Sequence, residues 1–352
     1  MAELDLGLLK QLCETPGIAG REERVATVVQ QALAPLVDEI RRDPLGNVIA
    51  IKRGKGGPRV MIAAHMDEIG FIVRAIDDRG FIRLQPVGGF DPRVLPAQRV
   101  RVWTREGDGL LGALQATVKP PHLQQAGDDK SVTINDLFVD LGLPAEQVKA
   151  RVEIGDMVTL DRPCEVLGPT VLSKALDDRV GVFVMIEALR AVKEHVVEIV
   201  AVATTQEEVG LRGAQVAAFG IDPDIGIALD TTIAGDVPGF EPEGTVTKLG
   251  AGVGIKVFDT SQLPNPALVQ HLRAIADREG IPYQLEVLPR GGTDGGAIQR
   301  TRAGVPTTTL SVPSRYVHSV NEMAHLDDIA AAVRLLTRFL EEAHTGRYIP
   351  GA

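Results

Sequence analysis

The architecture of the chain follows from one segment, Arg59-Val-Met-Ile-Ala-Ala-His-Met-Asp67. Residues 60–64 are continuously apolar, a pattern typical of a central strand that is buried on both faces of an α/β sheet. His65 follows the end of this strand, and open α/β sheets carry their functional groups at the carboxyl ends of strands. We therefore expect a buried sheet with a functional site at the edge marked by His65.

Helical and strand patterns alternate on both sides of this segment. Apolar residues at three- and four-residue spacing predict helices over 4–15, 22–37, 177–193, 212–219, 266–278, 293–302 and 326–343. Strands are predicted over 39–42, 47–53, 59–64, 198–204, 225–229, 253–257, 284–287 and 307–310. The alternation predicts an α/β fold with a mixed central sheet and helices on both faces.

The segment between the two α/β portions has a different character. Short strand patterns at 71–74, 81–84, 99–103 and 157–160 are separated by glycines and prolines. We predict a small, barrel-like all-β domain inserted at residues 70–163, within a catalytic domain formed by residues 1–69 and 164–352. The long polar loop 119–131, which contains His122, Asp128 and Asp129, is a candidate lid or interface element.

The composition argues against several classes of function. The 352 residues, 44% hydrophobic and 24% charged, suffice for a globular protein with a substantial core. A net charge of -10 without a run of Lys or Arg argues against a nucleic-acid partner. Cys13 and Cys164 lack the spacing of a metal site or a disulfide framework. Neither a signal peptide nor an apolar run of membrane-spanning length is found, so we expect a cytoplasmic protein.

Histidine and acidic side chains recur at the ends of predicted strands and at the start of one helix. They are His65, Asp67, Asp177, Asp178, Glu207, Glu208, Asp230 and His318. Because the carboxyl ends of parallel strands share one edge of a sheet, we expect these side chains to lie together. Two imidazoles and several carboxylates can give each of two divalent ions a His and oxygen ligands, with positions left for water and substrate. The pattern predicts a two-metal hydrolase site.

Each motif also has a purely structural explanation. Acidic residues in a first helical turn, such as Asp177-Asp178, cap helices and offset the helix dipole, although two adjacent buried charges favour a neutralising cation. Glu207-Glu208 can be a solvated pair, or one glutamate can bind a metal while its neighbour takes a proton from water. His65 and Asp67 can form an ordinary corner, or Asp67 can orient a metal-binding imidazole. A structural explanation can account for each motif alone, but it does not readily explain why all of the motifs are expected at the same edge of the sheet.

These motifs resemble those of the tetrahedral aminopeptidases, a family that includes glutamyl and leucyl aminopeptidases and members once labelled endoglucanases. The resemblance covers nearly the whole chain. It implies a zinc-peptidase-like fold and an enzyme that hydrolyses N-terminal amino acids from peptides. It rests on Ala-Ala-His65-Met-Asp67-Glu-Ile-Gly, Lys174-Ala-Leu-Asp177-Asp178-Arg-Val-Gly, Thr205-Gln-Glu207-Glu208-Val-Gly, Gly291-Gly-Thr-Asp294 and His318-Ser.

The resemblance also implies a role for each site residue. Asp177 would bridge two metal ions, a cis peptide would follow it, and Glu207 would be the general base. His65 and Asp230 would complete one metal site, and Glu208 and His318 would complete the other. The expected metals are zinc or cobalt, while His and carboxylate ligands also accept manganese or nickel. Twelve subunits would assemble from dimers formed by the inserted domain, with loop 119–131 near the pocket.

The side-chain preference of the enzyme stays open. Substrate contacts are expected from the loops after Asp230 and before Thr293, and the candidates are Ile233, Phe240, Arg290 and Thr293 itself. Because the orientation of these side chains is unknown from the sequence, acidic, basic and apolar N-terminal residues are all compatible with it. Thr293 can equally be a helix cap.

Three alternatives to an aminopeptidase remain at this point. A related two-metal deacylase or carboxypeptidase has a similar site, and none of these residues reads the substrate terminus directly. A glycosidase needs a carboxylate pair flanking a sugar, whereas these carboxylates are assigned to metals. A peptide-binding shell protein without catalysis is the third alternative, but it has no use for Glu207 as a base.

Overall fold

The computed structural model of the protein describes residues 4–119, 121–123 and 131–348. It shows an 11-stranded mixed sheet covered by helices, with a closed β-barrel inserted after the third strand. The helices are α1 (Leu6–Glu14), α2 (Glu23–Leu33), α3 (Ala145–Arg151), α4 (Leu176–Ala191), α5 (Arg212–Ile221), α6 (Pro266–Glu279), α7 (Asp294–Gln299) and α8 (Leu326–Glu342).

The strands fall into two groups along the chain. Those of the barrel are β4 (Gly70–Ile76), β5 (Ile82–Val87), β6 (Gln98–Trp103), β7 (Gly109–Ala116), β8 (Leu137–Asp140) and β9 (Met157–Leu160). Those of the large sheet are β1 (Glu39–Arg42), β2 (Val48–Lys52), β3 (Arg59–His65), β10 (Glu165–Leu167), β11 (Thr170–Ser173), β12 (Glu198–Thr204), β13 (Ile225–Ile233), β14 (Val253–Phe258), β15 (Tyr283–Val287), β16 (Thr307–Arg315) and β17 (Glu322–His325).

Strand β3 lies in the middle of the large sheet. The sheet order is β1-β2-β12-β3-β13-β16-β17-β11-β10, and β14 joins β16 to β15. β3 runs parallel to both of its neighbours, β12 and β13. Residues 60–65 are at most 2% exposed, so the prediction of a buried central strand is confirmed.

Helices cover both faces of this sheet. Val60 and Ile62 of β3 pack into a core with α1, α2, α4, α6 and α8. Met61 and Ala63 point to the opposite face and pack with α5 and α7, as the two-residue period of a strand requires. The predicted fold class is therefore confirmed. In the part of the chain that the structure describes, no helix is long and apolar enough to cross a membrane.

Two strands continue further than the sequence predicts. β13 extends to Ile233 and β16 to Arg315, and the added residues pair in parallel, Thr231 with Val312. β-Branched side chains such as those of Thr231 and Thr232 favour this extension. Asp230 therefore lies inside β13, and the prediction that it ends the strand is wrong.

The inserted segment folds into a barrel with strand order β4-β5-β8-β7-β6-β9. Its interior is filled by a separate apolar core that includes Phe71, Val100 and Leu114. The sequence does not predict β7, because Gly109-Leu-Leu-Gly-Ala-Leu-Gln-Ala116 lacks β-branched and aromatic residues. The segment also contains helix α3, so the prediction of an all-β insertion is incomplete. His122 is exposed, and Asp128 and Asp129 lie outside the described residues.

Candidate metal centre

Side chains from five segments meet at the carboxyl edge of the large sheet. All six predicted ligand and base residues line one cavity of about 520 Å³. His65 lies at the end of β3, and Asp177 lies at the start of α4. Glu207 and Glu208 lie in the turn after β12. Asp230 lies within β13, and His318 lies in the loop after β16. The structure thus brings together every one of these residues.

Asp177 is presented by a break at the start of α4. Asp177 and Asp178 have non-helical dihedral angles, and the peptide bond between them is cis, as the family resemblance implies. The Asp177 carboxylate lines the cavity. The Asp178 carboxylate instead accepts hydrogen bonds from the backbone N–H groups of His65 at 3.2 Å and Gly181 at 3.0 Å. The two adjacent acids therefore have separate tasks.

Two groups of metal-binding atoms share the Asp177 carboxylate. Ligand atoms of His65, Asp177 and Asp230 lie within 4.8 Å of one another, and so do those of Asp177, Glu208 and His318. His65 Nε2 is 3.2 Å from Asp177 Oδ1, and His318 Nε2 is 3.4 Å from Asp177 Oδ2. One oxygen of Asp177 thus faces each imidazole, which is the arrangement of a bridging ligand.

Asp67 lies behind these ligands and is fully buried. Nδ1 of His65 is 2.9 Å from the carbonyl oxygen of Asp67, so a proton on Nδ1 can be donated to this carbonyl group, which leaves Nε2, on the side of Asp177, free to bind a metal ion. The Asp67 carboxylate accepts the backbone N–H groups of Glu207 at 3.0 Å and Glu208 at 3.1 Å. Asp67 therefore fixes the positions of three neighbours and does not itself line the cavity.

The adjacent glutamates occupy different parts of the site. Glu208 Oε1 is 3.3 Å from His318 Nε2, yet it has no hydrogen-bond partner among the described residues. Glu207 lines the cavity, with Oε2 3.9 Å from His65 Nε2. Burial raises the pKa of Glu207 well above its usual range; the charge of His65 opposes this shift, and the charges of Asp230, Asp294 and Glu208 add to it.

The charge of the cluster is strongly unbalanced toward the acidic side. Burial raises the pKa of Glu208 and, together with the charge of Asp177, that of Asp230. Burial would lower the pKa of His318, but Asp177 and Glu208 raise it to about 12. Burial would likewise raise the pKa of Asp177, but hydrogen bonds from both imidazoles lower it. Buried carboxylates at this density favour bound cations.

The residues present fit two divalent ions. The donor atoms are imidazole nitrogens and carboxylate oxygens, which zinc, cobalt, manganese and nickel all accept. The Oε1 of Glu208 is the clearest observation, because it lies beside His318 but accepts no hydrogen bond from the described residues, and a buried carboxylate oxygen of this kind normally has a ligand. Its position beside His318 and near Asp177 matches one of the two groups of ligand atoms.

Two acidic residues were missed by the reasoning from sequence. Glu322 is 2% exposed and accepts backbone N–H groups of Asp177 and His318. Burial and the charge of Asp177 raise its pKa to about 8. Asp294 belongs to a family motif and was considered as a helix cap or as part of a turn bordering the pocket; it is 2% exposed and accepts a hydrogen bond from Thr204 Oγ1. Its burial raises its pKa to about 6. The available signal for Glu322 was its spacing of four residues from His318.

The predicted substrate contacts lie partly around the same cavity. Ile233, Arg290 and Thr293 line it. Thr293 is 1% exposed, and its hydroxyl lies 2.9 Å from that of Thr309. Phe240 is 46% exposed and does not line this cavity, so its contact with substrate stays a prediction.

Comparison with known proteins identifies the family. The model of the M42 glutamyl aminopeptidase family matches residues 46–335, a range that contains all six predicted ligand and base residues. The chain belongs to this family. M42 aminopeptidases are metal-dependent hydrolases, in agreement with the two groups of ligand atoms.

Relatives of this M42 aminopeptidase align over nearly its full length. The lysyl aminopeptidase of Pyrococcus furiosus is 39% identical over 99% of this chain and 100% of its own. The structure of an aminopeptidase from Desulfurococcus kamchatkensis is 41% identical, with a TM-score of 0.91 over 96% of this chain and 94% of that chain. The TET1 peptidase of Pyrococcus horikoshii, which can assemble into a tetrahedron or a large octahedral shell, is 34% identical, with a TM-score of 0.85 over 96% of this chain and 99% of that chain. The resemblance to tetrahedral aminopeptidases is confirmed.

Proposed function

We propose that this M42 aminopeptidase removes N-terminal residues from peptides by means of two divalent ions. The observation that carries the proposal is the Asp177 carboxylate, which is shared by two groups of ligand atoms while Glu207 faces the same cavity without a place in either group. A site for binding alone would need no such acid. The combination fits hydrolysis better than peptide capture.

The proposed ligands divide between the two ions. His65 and Asp230 would hold one ion, Glu208 and His318 the other, and Asp177 both. When bound, the ions supply Lewis-acid activation of a water molecule and of the scissile carbonyl group. Zinc or cobalt is the expected pair, and manganese or nickel suits the same ligands.

Glu207 is the proposed general base and acid. Its carboxylate is largely buried and lines the cavity beside His65. A buried carboxylate with a raised pKa is suited to take a proton from water and to return it to the leaving amine. Asp67 supports this role by fixing the backbone of Glu207 and the ring of His65.

The proposed substrates are peptides with a free amino terminus. Their first side chain would enter the cavity beside Ile233, Arg290 and Thr293, and Phe240 remains a candidate for a contact further out. The names of relatives include lysyl and glutamyl aminopeptidases, so membership of the family does not define the preferred residue.

We also propose a twelve-subunit assembly built from dimers, with residues 70–163 as the dimerisation domain of a catalytic domain formed by residues 1–69 and 164–352. The shells formed by the TET1 peptidase support this proposal. The barrel supports it as well, since it has an apolar core separate from those of the large sheet. The cytoplasmic location stays a prediction from the sequence.

The test is hydrolysis of a panel of unblocked and N-acetylated aminoacyl anilides, before and after chelation and again with zinc or cobalt restored. Cleavage of the unblocked set alone, lost with the chelator and regained with the metal, is the expected result. Cleavage of the acetylated set would indicate a deacylase. Activity that survives complete metal removal would contradict the proposed mechanism.

A further inference from the structure

We infer that Glu322 is a positioning residue that fixes two metal ligands, Asp177 and His318, relative to each other. The inference rests on the proposed two-metal function. It assigns to Glu322 a task that Asp67 performs elsewhere in the site, where one buried carboxylate holds the backbone of Glu207 and Glu208.

The backbone of Glu322 is itself held in the sheet. Glu322 is the first residue of β17, which pairs in antiparallel fashion with β11 and with β16. It lies opposite Ser173 of β11, and its next neighbour Met323 lies opposite Arg315 of β16. The side chain is 2% exposed. Glu322 therefore starts from a rigid position within the core.

The carboxylate of Glu322 joins two irregular segments. Its Oε2 accepts the backbone N–H of Asp177 at 3.0 Å, and its Oε1 accepts that of His318 at 2.8 Å. Asp177 lies at the break in α4, where first-turn amides lack intrahelical partners. His318 lies in the loop between β16 and β17 and has a φ of 63°. Neither ligand lies in a regular part of its element, so a common anchor has a direct effect on their separation.

The carboxyl group of Glu322 offers one acceptor oxygen to each of the two amides. Gln has one acceptor oxygen, and its NH₂ group would face a second donor. Asp is one methylene shorter. Because His318 Nε2 and the Asp177 carboxylate belong to the same group of ligand atoms, a shift of either backbone would widen that group.

The chain offers a matched control at Asp328. This residue is also fully buried, and its carboxylate also accepts two backbone N–H groups, those of Gly250 and Gly252, at 2.7 Å each. Neither glycine lines the metal cavity. Asp328→Asn therefore removes the same kind of double acceptor without touching the proposed ligands.

The test compares Glu322→Gln and Asp328→Asn with the wild type in zinc-buffered titrations, with bound metal counted per subunit and the thermal midpoint of the metal-free protein recorded. Loss of an outer partner of metal ligands lowers metal affinity by about 10- to 100-fold. We expect this loss in Glu322→Gln, together with recovery of hydrolysis at high zinc, while Asp328→Asn changes the midpoint but not the affinity.

Unchanged zinc affinity in Glu322→Gln would overturn the inference, as would an equal loss in both variants. Glu322→Asp is measured alongside, so that the comparison does not depend on the folding of one variant, and it should lose affinity in the same direction. A wild type that binds none of zinc, cobalt, manganese and nickel would instead refute the proposed function, which keeps the two failures distinct.

Discussion

Adjacent glutamates at the site differ in what surrounds them. Glu208 Oε1 lies 3.3 Å from His318 Nε2 and belongs to a group of ligand atoms with Asp177, whereas Glu207 belongs to neither group and faces the cavity. Asp67 holds both backbones, so the two side chains leave a fixed turn in different directions. This difference in surroundings explains why two identical side chains can serve as a metal ligand and as a general base.

Replacement of the proposed base separates these roles. Glu207→Gln removes the group that exchanges a proton but no proposed ligand, so kcat should fall by about 10²- to 10⁴-fold with both metal ions retained. Steady-state kinetics combined with metal analysis by mass spectrometry measures both quantities. Glu208→Gln is the matched control and should lose metal. Near-normal turnover in Glu207→Gln would remove Glu207 as the base.

Arg290 bears on the preferred side chain. Among the described residues that line the cavity, it is the one Lys or Arg, and no acidic residue that the structure describes forms an ion pair with it. An acidic N-terminal side chain is the natural partner of this charge, so kcat/KM should be higher for glutamyl than for lysyl anilides. Arg290→Gln should lower kcat/KM for the glutamyl substrate by about tenfold.

The controls for this prediction are a leucyl substrate and a second variant. Hydrolysis of the leucyl anilide should change little in Arg290→Gln, and Arg290→Lys should keep most of the preference. An equal loss on all substrates, or a wild type that favours lysyl anilides, would show that Arg290 does not select the side chain.

Residue types and their order predicted that eight acidic and histidine side chains meet at the sheet edge, and the family resemblance selected the six that line the cavity. The roles of Glu322 and Asp294 were not predictable in the same way. Both act through hydrogen bonds to groups distant in sequence, such as the 145-residue separation between Glu322 and Asp177. The pattern of neighbouring residues carries no information about such contacts, whereas an apolar run in the sequence indicates where a buried strand ends.

Helix α4 is the element that links the core to the metal centre. Residues 176–189 are all buried, so the helix is enclosed on every side. Its break places the Asp178 carboxylate between the backbone N–H groups of His65 and Gly181. A side chain at Gly181 would collide with that carboxylate. A packing change in α4 that moves Asp178 should therefore also move the backbone of His65, a proposed metal ligand.

Gly181→Ala tests this coupling. The added methyl group should destabilise the metal-free protein by about 1–3 kcal/mol, as overpacking of a core does, and should weaken metal binding through His65. Denaturant unfolding measures the first effect. The control is Gly220→Ala on α5, where an added methyl group meets no atom within 4 Å. Equal stability of the two variants would contradict the proposed coupling.

The predictability of the other elements follows their patterns. Long apolar strands such as β3 and β12 were predicted within a residue or two. β10 has three residues and β17 four, and both form because neighbouring strands are available to pair with them. Short strands of this kind have little local signal, since tertiary pairing decides their conformation.

Considering the complete subunit, the barrel exposes apolar side chains that do not line the metal cavity. Leu111 on β7 is 47% exposed and Ile154 before β9 is 74% exposed. Exposed apolar side chains on a compact barrel are compatible with a contact between subunits. The position of the insertion was predictable because a series of strand patterns interrupts the α/β pattern. The binding partner of the barrel surface was not predictable from the sequence.

Native mass spectrometry tests the proposed assembly. We expect a particle of twelve times the 37.6 kDa subunit mass. Leu111→Glu and Ile154→Glu should shift the population to smaller species, because a buried charge opposes association. Val216→Glu on α5, at a side chain that is 48% exposed, is the control away from the barrel. Unchanged assembly in both barrel variants would contradict a dimer formed by this domain.

We propose that activity depends on two ions held by the ligand groups that share Asp177. Titration of the metal-free protein with zinc or cobalt tests this dependence when bound metal and hydrolysis of an unblocked aminoacyl anilide are followed together. We expect activity to rise with occupancy up to two ions per subunit, and His318→Ala to bind one fewer ion. Full activity in the metal-free protein, or saturation of the wild type at one ion, would contradict it.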